Sequence, residues 1–243
     1  MEFKGGAIII GSLFWEKTPK REKWRQVYLE TNDNKVPVRI RIRYGRKSST
    51  RQDTYTMIVS NHLKTDFGTA YILPFKEPIK NARNLESQAF AMAGAEGLWK
   101  KSGPSLNKTW GTVGLLINPK SENSKSLEII KERWAKIYQD YDWNKSDYQI
   151  DNEPEIIDEN GFLNIEWTEE MNDFDFLIAT LTVPDPKKFL DEQLIADKIN
   201  ETGYDEYFRT NYENGIRTFQ DEKIIQKLKK QSQLPTSAIA NAG

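Results

Sequence analysis

The clearest pattern along the chain is a strict alternation of apolar and polar side chains over residues 35–44. One set of positions holds valine, isoleucine and tyrosine, and the opposite set holds Arg39, Arg41 and Arg43. A period of two predicts a β-strand with one buried and one solvated face. A polar turn at residues 44–53 and another apolar run at residues 54–60 predict that this strand belongs to a hairpin.

Shorter apolar runs predict further strands, and spacings close to 3.6 residues predict the helices between them. The predicted strands cover residues 7–10, 67–75, 109–119, 162–167 and 174–184. The predicted helices cover residues 16–30, 81–101 and 127–141, with two or three more over residues 187–231. Asn81 suits the N-cap of the helix over 81–101, and Gly97 and Gly103 lie near its end.

Strands that are separated by helices, with an antiparallel hairpin among them, indicate the α+β class. We predict a mixed, mostly antiparallel sheet or small barrel flanked by helices, with a helical C-terminal extension. A single domain over residues 1–231 accommodates these elements, including an acidic insert at about 140–173 and the C-terminal helices at about 187–231. Residues 232–243 are rich in small and polar side chains and are predicted to form a flexible tail.

The composition excludes several kinds of chemistry. The chain has no cysteine and a single histidine, His62, so thiol catalysis, disulfides and cysteine-bound metals are excluded. A catalytic triad or a histidine metal cluster would depend on His62 alone, and we expect neither a metal nor another cofactor. No apolar stretch approaches the ~20 residues that span a bilayer, and the N-terminus has no signal-peptide pattern. We therefore expect a cytoplasmic protein that does not contact the membrane, with its oligomeric state left open.

Charge is distributed unevenly although the net charge is only -1. Basic residues dominate positions 16–51, and acidic residues dominate positions 140–175. One interpretation is that the two patches face each other in the fold. The other is that each patch binds a partner. Strand arginines beside tyrosines would then suit single-stranded nucleic acid, although a polar outer face is usual for an antiparallel sheet.

Glu96 is the residue that the pattern singles out for chemistry. At 100° per residue it falls in the middle of an apolar helical stripe formed by Leu85, Ala89, Met92 and Trp99. Partial burial disfavours a charged carboxylate, which raises its pKa and makes it a better proton acceptor near neutral pH. The residues on either side of it are small, which leaves room for a ligand. The alternative is an ion pair between Glu96 and an arginine, for instance one of the alternating strand.

Four short segments, taken together, carry a family resemblance. They are residues 10–15 (IGSLFW), 68–71 (GTAY), 93–99 (AGAEGLW) and 194–208 (LIADKINETGYDEYF). They resemble the γ-glutamylcyclotransferase superfamily, especially its ChaC-like branch, whose members begin with a short strand running into Tyr-Gly-Ser-Leu. Ile10 stands where that family has the tyrosine, and the family's catalytic glutamate falls on Glu96.

The resemblance implies a specific reaction and site. The backbone N–H groups of Gly11, Ser12 and Leu13 would bind the α-carboxylate of a γ-glutamyl group. Glu96 would take a proton from the substrate's α-amine, which then attacks the γ-carbonyl of the same molecule and releases 5-oxoproline. The partner is then a small γ-glutamyl amine or peptide. The remaining predicted substrate-binding residues are Ile10, Arg43 and Tyr44.

The alternative function is that of a non-catalytic binding protein. Such a protein would bind nucleic acid or another anionic partner through residues 39–51, or a basic partner through residues 140–175. We favour the enzyme because its substrate supplies both nucleophile and electrophile. That chemistry suits a chain without cysteine and with one histidine.

Overall fold

The computed structural model describes residues 2–98, 105–121, 124–150 and 152–232 of the chain. The strands in these ranges are β1 (Gly5–Ile9), β2 (Val36–Ser48), β3 (Thr54–Val59), β4 (Phe67–Pro74), β5 (Asn107–Lys108), β6 (Gly111–Ile117) and β7 (Phe176–Thr182). The α-helices are α1 (Pro19–Tyr28), α2 (Ala82–Glu96), α3 (Lys125–Gln139), α4 (Glu192–Thr202), α5 (Glu206–Glu213) and α6 (Asp221–Ser232).

The strands of the described ranges form one sheet in the order β3-β2-β4-β1-β7-β6-β5. Neighbouring strands are antiparallel, except that the central β1 and β7 are parallel. The sheet is open, because β3 and β5 lie at opposite ends of the strand order. The predicted α+β fold with a mixed, mostly antiparallel sheet is therefore confirmed, and the barrel form of that prediction is not adopted.

β2 contains the alternating pattern but extends beyond it. The apolar positions in the middle of the strand are buried as predicted, whereas Arg43 on the opposite face is completely buried as well. The strand continues to Ser48, where the sequence predicted a turn beginning at Tyr44. Its register against β3 shifts between Tyr44 and Arg46, and such a bulge bends a strand and increases its twist.

The helix that carries Glu96 is shorter than predicted. Its N-terminus is capped by Asn81, whose side chain accepts a hydrogen bond from the backbone N–H of Asn84 at 3.1 Å, as the sequence indicated. Its C-terminus is fixed by Gly97, which has a φ of 85° in the left-handed region that ends many helices. The predicted continuation to residue 101, including Trp99, lies outside the described residues.

The predicted strand over residues 162–167 is wrong. This segment forms only isolated bridges, in which Phe162 pairs with Leu115 and Leu163 pairs with Ile157. The chain turns at Gly161, which has a φ of 79°, and then leaves the edge of β6 before a ladder can form. Apolar content alone predicted a strand here, but the segment lacks a continuous partner.

The acidic insert packs against the arginine face of β2. Arg39 Nε lies 3.0 Å from Glu170 Oε1, and Arg41 Nη2 lies 3.8 Å from Glu166 Oε2. These opposite charges therefore face each other, as one of the two interpretations of the charge pattern predicted. Because the pairs are partly exposed, each contributes only about 0–1 kcal/mol to stability.

The C-terminal extension is helical, as predicted, and its helix α4 packs against both α6 and β3. Its last helix ends at Ser232, so the rest of the predicted tail lies outside the described residues. No helix within the described ranges is long and apolar enough to cross a membrane.

Candidate functional site

A cavity of about 580 Å³ lies at the end of β1. Its walls come from the turn after β1, from α1, α2 and α5, from β2, β3 and β7, and from Trp110, which precedes β6. The predicted substrate-binding backbone, residues 10–13, and the predicted base, Glu96, line this same cavity. The structure therefore brings these two predicted parts of the site together.

The turn after β1 is tightly folded. Its hydrogen bonds run from Phe14 N–H to the Gly11 carbonyl at 2.9 Å and from Glu16 N–H to the Ser12 carbonyl at 2.9 Å. Among the described residues, none accepts a hydrogen bond from the N–H groups of residues 11–13. These residues line the cavity, so their backbone N–H groups are the candidate donors for an anionic group bound there.

Glu96 is the last residue of α2 and keeps 18% of its side chain exposed. Its Oε2 lies 3.0 Å from Arg21 Nη2. Burial raises the pKa of the Glu96 carboxyl, and the nearby Arg21 and Arg51 guanidinium groups oppose this rise without reversing it. The predicted alternative, an ion pair between Glu96 and an arginine, is therefore confirmed, and the arginine comes from α1 instead of the alternating strand that served as the example.

Two arginines that the sequence did not single out organise this end of the cavity. Arg21 Nη1 donates to Ser12 Oγ at 2.7 Å and also contacts the Glu16 carboxylate. Arg51 Nη2 donates to Ser12 Oγ at 3.0 Å and to Glu16 Oε2 at 2.9 Å. The Ser12 hydroxyl oxygen thus accepts from two guanidinium groups, which fixes the turn beside Glu96. We call Ser12, Glu16, Arg21, Arg51 and Glu96 the arginine cluster.

Tyr207 of α5 closes the cavity over the turn. Its hydroxyl accepts a hydrogen bond from Met57 N–H at 3.2 Å, and burial raises the pKa of this phenol. A β-carbon placed on Gly11 would lie 2.7 Å from the same hydroxyl oxygen. The close approach of Tyr207 therefore favours glycine at position 11. Tyr207, from the C-terminal region, lies against the motif that begins with Ile10.

Arg43 and Tyr44, which were assigned to the substrate site, do not line this cavity. Arg43 is completely buried and donates from Nε to Ser60 Oγ at 2.8 Å, and burial lowers its pKa to about 10. Tyr44 is 1% exposed and packs against Phe208, with ring centroids 6.0 Å apart. Because β2 continues past the predicted turn, residues 46–51 reach the cavity instead.

The cavity carries more positive than negative charge. Its basic side chains are Arg21, Arg46, Lys47 and Arg51, and its acidic side chains are Glu16 and Glu96. Such a surplus attracts anionic ligands. Within the described ranges, no three histidine or acidic side chains are placed to hold a metal ion.

The predicted alternative function depends on arginines of residues 39–51 that an anionic partner can reach. The arginines on the outer face of β2 already have partners within the protein or are buried. Arg39 and Arg41 pair with the acidic insert, and Arg43 is buried. Arg46 and Arg51 belong to the cavity.

Comparisons of the chain with protein-family models, with curated proteins and with solved structures found no match.

Proposed function

We propose that this protein is a γ-glutamylcyclotransferase-like enzyme that releases 5-oxoproline from a small γ-glutamyl compound. The observation that supports this proposal is the shared cavity of Glu96 and residues 11–13. A carboxylate with a raised pKa and a set of backbone donors are the two groups that the reaction needs from the protein.

In the proposed complex, the α-carboxylate of the γ-glutamyl group binds the N–H groups of Gly11, Ser12 and Leu13. Its α-ammonium lies against Glu96, which otherwise pairs with Arg21. The methylene groups pack on apolar cavity residues such as Met57 and Met92.

Glu96 takes a proton from the α-ammonium group. The freed amine attacks the γ-carbonyl carbon, so a C–N bond forms and closes the five-membered ring. The amide C–N bond to the leaving amine then breaks as the leaving nitrogen takes the proton that Glu96 received. The ring nitrogen gives up its second proton, which the released amine takes as it becomes an ammonium, and the lactam of 5-oxoproline is left neutral. No other reactant is consumed, and Glu96 returns to its starting state.

The proposal is tested by incubating the protein with γ-glutamyl amino acids, γ-glutamyl amines and glutathione, and by measuring 5-oxoproline by mass spectrometry. Glu96→Gln keeps the size of the side chain and removes the base, so we expect the rate to fall by about 10²–10⁴-fold. Glu86→Gln is the matched control. Glu86 lies on the same helix and pairs with Arg133 on the surface, so its replacement leaves the rate unchanged.

If wild type and Glu96→Gln form equally little 5-oxoproline from every substrate, the enzyme proposal is refuted. The same cavity would then belong to a non-catalytic protein that binds a small anion. The surplus of basic side chains is the observation that favours this second candidate. Isothermal titration of the unchanged protein with small anions distinguishes it from an inert chain.

A further inference from the structure

Glu16 lines the cavity together with Glu96, but the reaction proposed above assigns no role to it. It ends the turn after β1, where its backbone N–H donates to the Ser12 carbonyl at 2.9 Å. The turn therefore fixes the position from which the Glu16 side chain extends. This side chain is 32% exposed, compared with 18% for Glu96, so an accessible carboxylate lies beside a more buried one.

Both carboxylates bind the same guanidinium group. Arg21 directs Nη1 to Glu16 Oε2 and Nη2 to Glu96 Oε2, the latter at 3.0 Å. Its Nε donates to the Ala95 carbonyl at 3.4 Å. The donors of a guanidinium group lie in one rigid plane, so Arg21 serves both carboxylates only while it lies between them. A movement of Arg21 toward one carboxylate weakens its contact with the other.

Arg51 holds Glu16 in place for this competition. Its Nη2 lies 2.9 Å from Glu16 Oε2, and its guanidinium lies 5.0 Å from the centroid of the Tyr207 ring. Within the described ranges, Glu16 forms ion pairs with two arginines, whereas Glu96 forms one with Arg21 alone. Glu16 is therefore the carboxylate that anchors the two guanidinium groups.

The pKa of Glu96 depends on how Arg21 is shared. The charged and titratable side chains near Glu96 are Arg21 of α1, Arg51 of the turn before β3, Glu16 of the turn after β1 and Tyr207 of α5. Burial raises the pKa of the Glu96 carboxyl, the two arginines lower it, and the negative charge of Glu16 raises it further. Without Glu16, the carboxylate that remains for Arg21 in the cavity is Glu96. Arg21 would then bind Glu96 more tightly, and an incoming ammonium group would displace it less readily.

We infer that Glu16 is a positioning residue that competes with Glu96 for Arg21 and so keeps Glu96 available to a ligand ammonium group. The competition itself follows from the geometry of the arginine cluster. Its effect on turnover rests on the proposed function. Glu16 contacts no reacting atom in that reaction and acts through Arg21.

The competition is tested by measuring the pKa of Glu96 directly. The full chain is labelled with ¹³C at the glutamate carboxyl groups and titrated by NMR, and the Glu96 signal is assigned from its absence in Glu96→Gln. We expect a lower pKa of Glu96 in Glu16→Gln than in the wild type, and Glu16→Asp, which keeps the charge, should reverse part of the change. Glu22→Gln is the matched control, because Glu22 lies on α1 outside the cavity and its replacement should leave the pKa of Glu96 unchanged.

The background Arg21→Gln separates competition for Arg21 from direct repulsion between the two carboxylates. If Glu16 acts through Arg21, Glu16→Gln should change the pKa of Glu96 much less in this background than in the wild type. An equally large change in both backgrounds overturns the inference, because Glu16 would then act by repulsion alone. An unchanged pKa of Glu96 in Glu16→Gln overturns it as well.

Turnover provides a separate readout that a merely structural role would not move. Glu96 must be ionised to take a proton, so kcat/KM should fall as the pH falls through the pKa of Glu96. In Glu16→Gln this acidic limb should move to lower pH. KM near neutral pH should rise by about tenfold, since the substrate ammonium then displaces a more tightly bound Arg21.

The two measurements distinguish the role of Glu16 from the enzyme proposal. If the pKa of Glu96 falls in Glu16→Gln but the wild type releases no 5-oxoproline, the enzyme proposal fails and the role of Glu16 stands. If the wild type turns over and Glu16→Gln changes neither the acidic limb nor KM, the role of Glu16 fails and the enzyme proposal stands.

Discussion

Replacing Gly11 with alanine tests whether Tyr207 fixes the position of the turn after β1. A β-carbon at Gly11 would lie 2.7 Å from Tyr207 Oη, 3.6 Å from Cζ and 3.9 Å from Cε2. Only the first distance is too short for an ordinary contact. Because non-bonded atoms prefer separations of about 3.5 Å, the turn or the tyrosine must shift by roughly half an ångström or more.

The cost of this shift can be estimated from the structure. Gly11 does not have a positive φ, so alanine brings no backbone strain and the cost arises from the contact with Tyr207. Overpacking of this kind costs about 1–3 kcal/mol. For a domain of this size we therefore expect the unfolding temperature to fall by roughly 2–12 °C. Urea unfolding gives the free energy directly.

Tyr207→Phe supplies the matched background. It removes only the atom that is too close. It also leaves Met57 N–H without its acceptor, which should lower the free energy of unfolding by about 1–3 kcal/mol. In this background Gly11→Ala should add little further destabilisation, so the two substitutions should show a coupling of about 0.5–3 kcal/mol. Additive effects of Gly11→Ala and Tyr207→Phe would refute the steric argument.

Two further predictions concern buried charges away from the cavity. Glu153→Gln should lower the free energy of unfolding, measured with urea, by about 3–5 kcal/mol. The reason is that Glu153 accepts a hydrogen bond from Ser60 Oγ and compensates the charge of the buried Arg43. A loss below about 1 kcal/mol would contradict this. Burial raises the pKa of Asp221 to about 6, from a usual value of 3.8. The folded state then binds this proton more tightly than the unfolded chain does. The stabilisation that this proton provides, on the order of 2–3 kcal/mol in the free energy of unfolding, is therefore complete below about pH 4 and is lost as the pH rises through about 6. Asp221→Asn should remove this part of the pH dependence of stability, and an unchanged profile would show that Asp221 is not its source.

Local patterns predicted those parts of the fold that local forces determine. The period of two in β2 follows from its pairing between β3 and β4, which leaves one face on the core. The cap at Asn81 and the left-handed Gly97 define α2 through backbone preferences within a few residues. The strand over 162–167 failed as a prediction because strand formation depends on a neighbouring segment, and none is continuous there.

The site was predictable where a local feature marks it and unpredictable where distant residues complete it. Glu96 could be found from helical phase, and Gly11 from the break in an apolar run. The contact between Arg21 and Glu96 joins residues 75 positions apart, and that between Arg51 and Ser12 joins residues 39 positions apart. An arginine in a basic segment carries no local signal of such a contact. Arg43 was misassigned for the same reason, since its burial depends on Glu153 and Ser60.

The ion pair between Arg21 and Glu96 does not by itself assign a structural role to Glu96. In a purely structural pair the positive neighbour dominates, and the carboxyl pKa falls below its usual value. Here the net direction is upward, because burial outweighs the two nearby guanidinium groups. Such a carboxylate gains more from taking a proton than an ordinary one, and a substrate ammonium that displaces Arg21 would supply that proton. Arg21 has Ser12 and Glu16 as remaining partners, so the displacement leaves its charge compensated.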